Sequence, residues 1–125
     1  LVHLVDDDEA VRRSAAFMLK TSGFRVLTYE NGVALLKDVR SLEEGCVLLD
    51  IRMPEMDGLE VQRALRESGC LLPVIIMTGH GDVPIAVQAM KAGAIDFIEK
   101  PFEKATLLRA LEAGHARLQE ASSAT

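Results

Sequence analysis

Short apolar runs alternate with stretches of helix length whose apolar positions recur every three or four residues, and the alternation repeats five times along the chain. The runs Leu1–Asp6, Phe24–Tyr29, Cys46–Asp50, Val74–Met77 and Ala94–Ile98 read as strands. The first, third and fourth are almost wholly apolar, as strands covered by helices on both faces are. Helical stripes lie between them: Val11, Ala15, Met18 and Leu19, then Val61, Ala64 and Leu65, then Val83, Ala86, Val87 and Met90. Leu107, Leu108, Leu111 and Leu118 mark a fifth helix, with Gly114 as a weak spot, because glycine lowers helix propensity. Only the second helix, around Val33 to Val39, is short and poorly specified. Gly23, Gly69 and Gly93 each stand where a helix should end on a left-handed residue.

Strand and helix in regular alternation imply a parallel sheet. Five such units are too few for a closed eight-stranded barrel, which needs about 250 residues, so the expected architecture is an open, doubly wound α/β sheet. After Gln119 the residues Glu120-Ala121-Ser122-Ser123-Ala124-Thr125 are small and polar. The expected organisation is therefore one domain over 1–119 and the start of a linker over 120–125.

Composition narrows the function classes. A chain of 125 residues with 49% hydrophobic and 26% charged residues can bury a core without disulfides or a structural metal. A formal net charge of -5 argues against a nucleic-acid surface on this segment, since phosphate binding needs clustered Lys and Arg. The two cysteines, Cys46 and Cys70, form no CxxC or Cys/His cluster, which fits a reducing compartment. No apolar run approaches the roughly 20 residues that span a bilayer, and Leu1-Val2-His3 lacks the basic flank of a signal peptide. A cytoplasmic location without membrane attachment is expected. A first residue of Leu rather than Met is expected to mark a piece of a longer protein.

In open α/β sheets the ligand site lies beyond the carboxyl ends of the strands. The polar residues that terminate the apolar runs are Asp6-Asp7-Asp8, Asp50, Thr78-Gly79 and Lys100-Pro101. Holding two carboxylates about 4 Å apart costs on the order of 4 kcal/mol at an effective dielectric near 20. Such a cluster calls for a cation, and Mg²⁺ suits a few carboxylates with a carbonyl and retained waters. Each residue alone has a simpler reading. Asp7 or Asp8 can cap the first helix, Thr78 can make a local backbone bond, and Lys100 can be solvated. Their convergence is what favours chemistry.

Four blocks in order, Val5-Asp6-Asp7-Asp8, Leu48 to Gly58, Met77 to Asp82 and Phe97 to Phe102, resemble the signature segments of response-regulator receiver domains. The stretch from Thr78 through Phe102 most resembles FixJ-type regulators, with NtrC-like receivers nearly as similar. The resemblance covers essentially the whole chain and implies a flavodoxin-like sheet of strand order 2-1-3-4-5 with five helices. It implies a regulatory phosphoacceptor that promotes its own phosphotransfer and dephosphorylation, with Asp50 taking the phosphoryl group. Asp7 would bind Mg²⁺ directly, Asp6 through water, and Asp50 and the main-chain carbonyl of Arg52 would complete the protein ligands. Thr78 and Lys100 would bond phosphoryl oxygens, and Phe97 would be the aromatic switch residue. Lys100-Pro101 resembles the family's cis peptide, and Gly58 suits the turn into the third helix. Asp8 stands where many members have Glu, and the Arg52 side chain is either an incidental charge or a neighbour of the phosphate.

The implied partners are a sensor histidine kinase as donor and a second copy of the domain. The homodimer would form when phosphorylated, through the fourth helix and fifth strand at Val83, Val87, Lys91 and Asp96. A C-terminal, DNA-binding output domain is the implied effector. Two other readings compete. A magnesium-dependent phosphohydrolase would place a second acid two residues after the nucleophile, where this chain has Arg52. A flavin-binding module would want a phosphate cradle after the first strand, where three carboxylates would repel it.

Overall fold

Residues 1–79 and 81–123 are described in the computed structural model, with side chains described through 120. The chain forms β1 (Val2–Val5), α1 (Glu9–Thr21), β2 (Val26–Tyr29), α2 (Gly32–Lys37), a 3-10 turn (Val39–Ser41), β3 (Cys46–Asp50), α3 (Gly58–Glu67), β4 (Val74–Thr78), α4 (Val83–Lys91), β5 (Asp96–Glu99) and α5 (Lys104–Ser123). The five strands are all parallel, in the order β2-β1-β3-β4-β5. This is the doubly wound α/β sheet that the alternation of apolar runs predicts.

The wholly apolar runs occupy the interior of the sheet. Every residue of β1, β3 and β4 is buried, whereas the edge strand β2 is half-buried or exposed throughout. Side chains alternate between faces along a strand, so the core divides in two. Val2, Leu4, Cys46, Leu48, Ile75 and Met77 pack with Leu19 of α1 and Leu107 and Leu111 of α5. Val5, Val47, Leu49, Val74 and Ile76 pack with Leu35 of α2, Val61 and Leu65 of α3 and Ala89 of α4. Fully burying each large aliphatic is worth about 1.5–3 kcal/mol, and the two layers clamp the strands from both sides.

The helix ends follow their local chemistry. Gly23, Gly69 and Gly93 adopt φ of +94°, +82° and +113°, the left-handed geometry expected of them. Asp57 caps α3 in a reciprocal capping box with Glu60, a pairing written in the sequence as Asp-x-x-Glu. The poorly specified second helix is short, and a 3-10 turn follows it. Helix α5 continues to Ser123, past position 119 where the sequence reads the domain as ending; residues 124 and 125 of the expected linker lie outside the described residues.

Gly114 is not the weak spot that helix propensity implies. It is buried inside α5, and a Cβ there would lie 2.5 Å from Cys46 Sγ and 3.2 Å from Ile95 Cδ1. Close approach of α5 to the sheet therefore selects glycine despite its propensity. Burial also pushes the Cys46 thiol up to about 11, which leaves it an unreactive core side chain.

The expected outcome of Gly114→Ala is a loss of about 1–2 kcal/mol from overpacking, offset in part by alanine's better propensity. Thermal unfolding checks this, and Cys46→Ala in the same chain should recover part of the loss. A Gly114→Ala protein more stable than the parent would contradict the packing argument.

Candidate functional site

The carboxyl ends of β1, β3, β4 and β5 deliver the polar residues to one place. Asp50 is the last residue of β3 and is 4% exposed, and Asp6, directly after β1, is fully buried. Asp7 beside it is exposed. One carboxylate oxygen from each of Asp6, Asp7 and Asp50 lies within 4.8 Å of the others. Lys100 follows β5, and its Nζ sits 2.8 Å from Asp6 Oδ2 and 3.2 Å from Asp50 Oδ1.

Local bonds hold these groups in position. Asp8 caps α1, accepting from the N–H groups of Ala10 and Val11 at 2.9 and 3.2 Å. Of the three consecutive acids, Asp8 is thus the helix cap, and Asp6 and Asp7 are left to the site. The Asp8 N–H donates to Asp6 Oδ1 at 2.9 Å, and Arg12 donates to the Asp6 carbonyl at 2.7 Å. Gly58, whose N–H donates to the Ile51 carbonyl, passes so close to the end of β3 that a Cβ would lie 2.7 Å from the Asp50 carbonyl oxygen. The Lys100–Pro101 peptide is cis, as the resemblance implies.

Thr78 ends β4, fully buried, with its hydroxyl donating a long 3.4 Å bond to the Ile98 carbonyl. The Lys100 N–H donates to the Thr78 carbonyl at 2.7 Å, so these two residues share a backbone link. Phe97 is half-buried against the core layer of α2, α3 and α4. Val83 and Val87 project from α4 with 38% and 43% of their surfaces exposed. Lys91 is also exposed, and half-buried Asp96 accepts from the Phe97 N–H at 2.8 Å. The Arg52 side chain turns away to Asp82, its Nε and a terminal nitrogen donating to Oδ1 at 3.2 and 2.8 Å. Sequence reasoning did not find that pair. The two residues lie in different loops, and no local spacing signals their contact.

Burial, and then the Asp6 carboxylate, raise the pKa of Asp50 from an ordinary 3.8 to about 7. Lys100 and the main-chain N–H of Arg52 oppose that shift without cancelling it. For Lys100 burial pulls downward, yet the Asp6 and Asp50 carboxylates outweigh it and leave the ammonium held above its ordinary value. Three carboxylates face one ammonium, and the donors are all hard oxygens. A divalent, oxygen-seeking cation fits both the charge deficit and the ligand set. Among the described residues no helix is long and apolar enough to cross a membrane.

Comparison with known proteins bears on this geometry. A profile of the response regulator receiver domain matches residues 2–112. The transcriptional regulatory protein FixJ of Azorhizobium caulinodans is 48% identical over 119 residues, covering 95% of this chain and 56% of that protein. FixJ of Rhizobium meliloti is 47% identical over 122 residues, covering 98% of this chain and 60% of the relative. The chain thus spans less than two thirds of the length of these relatives. The crystal structure of FixJ-N superposes with a TM-score of 0.86 at 50% identity, covering 89% of each chain. The sheet order and the five helices are those of the flavodoxin-like receiver fold.

The electrostatics predict a pH dependence. The folded chain keeps the Asp50 proton up to about pH 7, whereas an unfolded chain releases it near its ordinary value of 3.8. Between these limits the folded state binds more protons, so in metal-free buffer this group lowers stability as pH rises through the window. Asp50→Asn should therefore be more stable than the parent at pH 8 by on the order of 4 kcal/mol, with the difference gone at about pH 4. Thermal melts at both values check it, and an equal difference at both would contradict the assignment.

Proposed function

The chain belongs to the response regulator receiver domain family, and from that premise we propose that it is a phosphorylation-driven switch with Asp50 as acceptor of the phosphoryl group. The observation that carries this reading is the buried Asp50 carboxylate lying among Asp6 and Asp7 with Lys100 3.2 Å away. The donor is the phosphohistidine of a sensor histidine kinase, or a small acyl phosphate. The P–N bond of the phosphohistidine breaks as a carboxylate oxygen of Asp50 bonds to phosphorus, and the released imidazole takes up a proton. Hydrolysis by water at the same site later returns the free carboxylate.

Phosphoryl transfer asks mainly for positioning and for positive charge at the equatorial oxygens. Lys100 brings a fixed ammonium that already touches the acceptor. Asp7 directly, Asp6 through water, Asp50 and the Arg52 carbonyl would hold Mg²⁺, which supplies the further positive charge facing the phosphoryl oxygens. A groove of about 480 Å³ lined by Val11, Ser14 and Met18 of α1 and by Lys100, Pro101 and Phe102 opens beside the site and offers the kinase a surface next to the acceptor.

The new phosphoryl group adds about two negative charges. Lys100 pairs with one oxygen, and the Thr78 hydroxyl exchanges its long bond to Ile98 for another. Phe97 turns inward behind Thr78, which alters the surface of α4, β5 and α5. The phosphoryl group can bias this equilibrium only by its difference in affinity for the two conformers. The altered face forms a homodimer through Val83, Val87, Lys91 and Asp96, and it controls a DNA-binding output domain joined through a linker that starts at 120. The receiver, residues 1–119, does not itself bind nucleic acid, and the protein acts in the cytoplasm.

Intact-mass measurement with acetyl phosphate tests the reading. The parent gains one phosphoryl mass when Mg²⁺ is present, chelation abolishes the gain, and Asp50→Asn shows none. A gain that survives in Asp50→Asn would overturn it. In sedimentation, the phosphorylated parent should dimerise, whereas Val87→Glu should take up phosphate and stay monomeric; a phosphorylated parent that remains monomeric at high concentration removes the dimer from the proposal.

A further inference from the structure

Helix α4 is held in place unlike its neighbours. Of its nine residues only Ala86 and Ala89 are buried, both with one-carbon side chains, while Val83 and Val87 face solvent. Ile85 and Met90 are half-buried against the core layer, no large side chain of the helix is fully buried, and polar contacts add to the hold at both ends. Near the C-terminal end, Gln62 of α3 is 1% exposed and donates from Nε2 to the Ala89 carbonyl at 3.1 Å. At the start, Asp82 occupies the N-cap position, yet its carboxylate makes no capping bond. Arg52 takes it instead, through Nε and a terminal nitrogen on Oδ1.

We propose that Arg52 and Asp82 form a latch that reports the state of Asp50 to α4, with the Gln62–Ala89 contact as its pivot. The inference rests on the phosphoacceptor reading above. Arg52 is two residues beyond Asp50, and its main-chain N–H already lies beside that carboxylate. A phosphoryl group there carries about twice the charge of Asp82 and suits the planar guanidinium fork, so it competes for the same side chain. The Arg52 side chain is 67% exposed and that of Asp82 15%, the setting of a weak ion pair that exchanges readily. Once released, the Asp82 carboxylate no longer ties the start of α4 to the loop after β3. The first turn of α4 then loosens, while the Ala89 end stays anchored.

Amide hydrogen exchange over residues 85–88 tests the latch in the whole chain. The samples are the parent, Arg52→Gln, Asp82→Asn, the double variant, and the charge swap Arg52→Asp with Asp82→Arg. In the resting state each single variant should exchange about threefold to fivefold faster than the parent, the scale of an exposed ion pair. The double variant should go no further, and the swap should restore protection. Acetyl phosphate with Mg²⁺ should speed the same amides in the parent and leave Arg52→Gln unchanged. Single variants that exchange like the parent, or effects that add in the double variant, would overturn the latch. Phosphate uptake is weighed in the same samples: a parent that takes up none defeats the phosphoacceptor reading, while the resting-state comparison still decides whether the pair restrains α4.

Discussion

Repulsion among three carboxylates organises the site. Asp6, Asp7 and Asp50 come from two strands that are adjacent in the sheet although distant in the chain, and one lysine offsets them. Neighbouring strands lie about 4.8 Å apart, so acids at adjacent strand tips have little room to separate. The buried layers on both sides of β1 and β3 prevent the strands from relaxing the strain. The consequence is visible at Asp50, whose proton is held up to about pH 7 by burial and by Asp6. A carboxylate that resists carrying its charge alone is one for which added cations, or conversion to an acyl phosphate with cationic partners, change the energy of the whole face.

The distribution of apolar burial fits that arrangement. β1, β3 and β4 are buried along their whole length and present the site on a rigid frame. Helix α4 is attached by buried Ala86 and Ala89, by half-buried Ile85 and Met90, and by polar contacts at its two ends. The proposed function calls for both properties: a fixed acceptor and a surface whose position a few polar bonds can reset. Close packing in the frame, as at Gly58 and Gly114, contrasts with the half-buried attachment of α4, and the proposed switch would use both.

Much of this was legible in the sequence because period and punctuation are local properties. The fully covered strands stood out as unbroken apolar runs, and β3 falls on the bounds Cys46–Asp50 that the pattern gives. β2 begins at Val26 rather than Phe24 because an edge strand pairs on one side only and its ladder starts opposite Val2. Asp6, Asp7, Asp50 and Lys100 were legible as site residues because strand ends of a parallel sheet converge. What stayed hidden depends on long-range contact. Gly114 looked like a propensity defect until Cys46 was seen against it, and Arg52 and Asp82 gave no sign of pairing across two separate loops. Asp8 could be told from its two neighbours only once its carboxylate was seen on the first turn of α1.

Calorimetric titration of the protein with MgCl₂ probes the charge deficit itself, apart from any phosphoryl chemistry. The account predicts saturable binding of one ion with millimolar or tighter affinity, abolished or greatly weakened when Asp7 is replaced by Asn. Absence of saturable binding to the parent chain, or binding that is unchanged in Asp7→Asn, would contradict the claim that these crowded acids form a divalent-cation site.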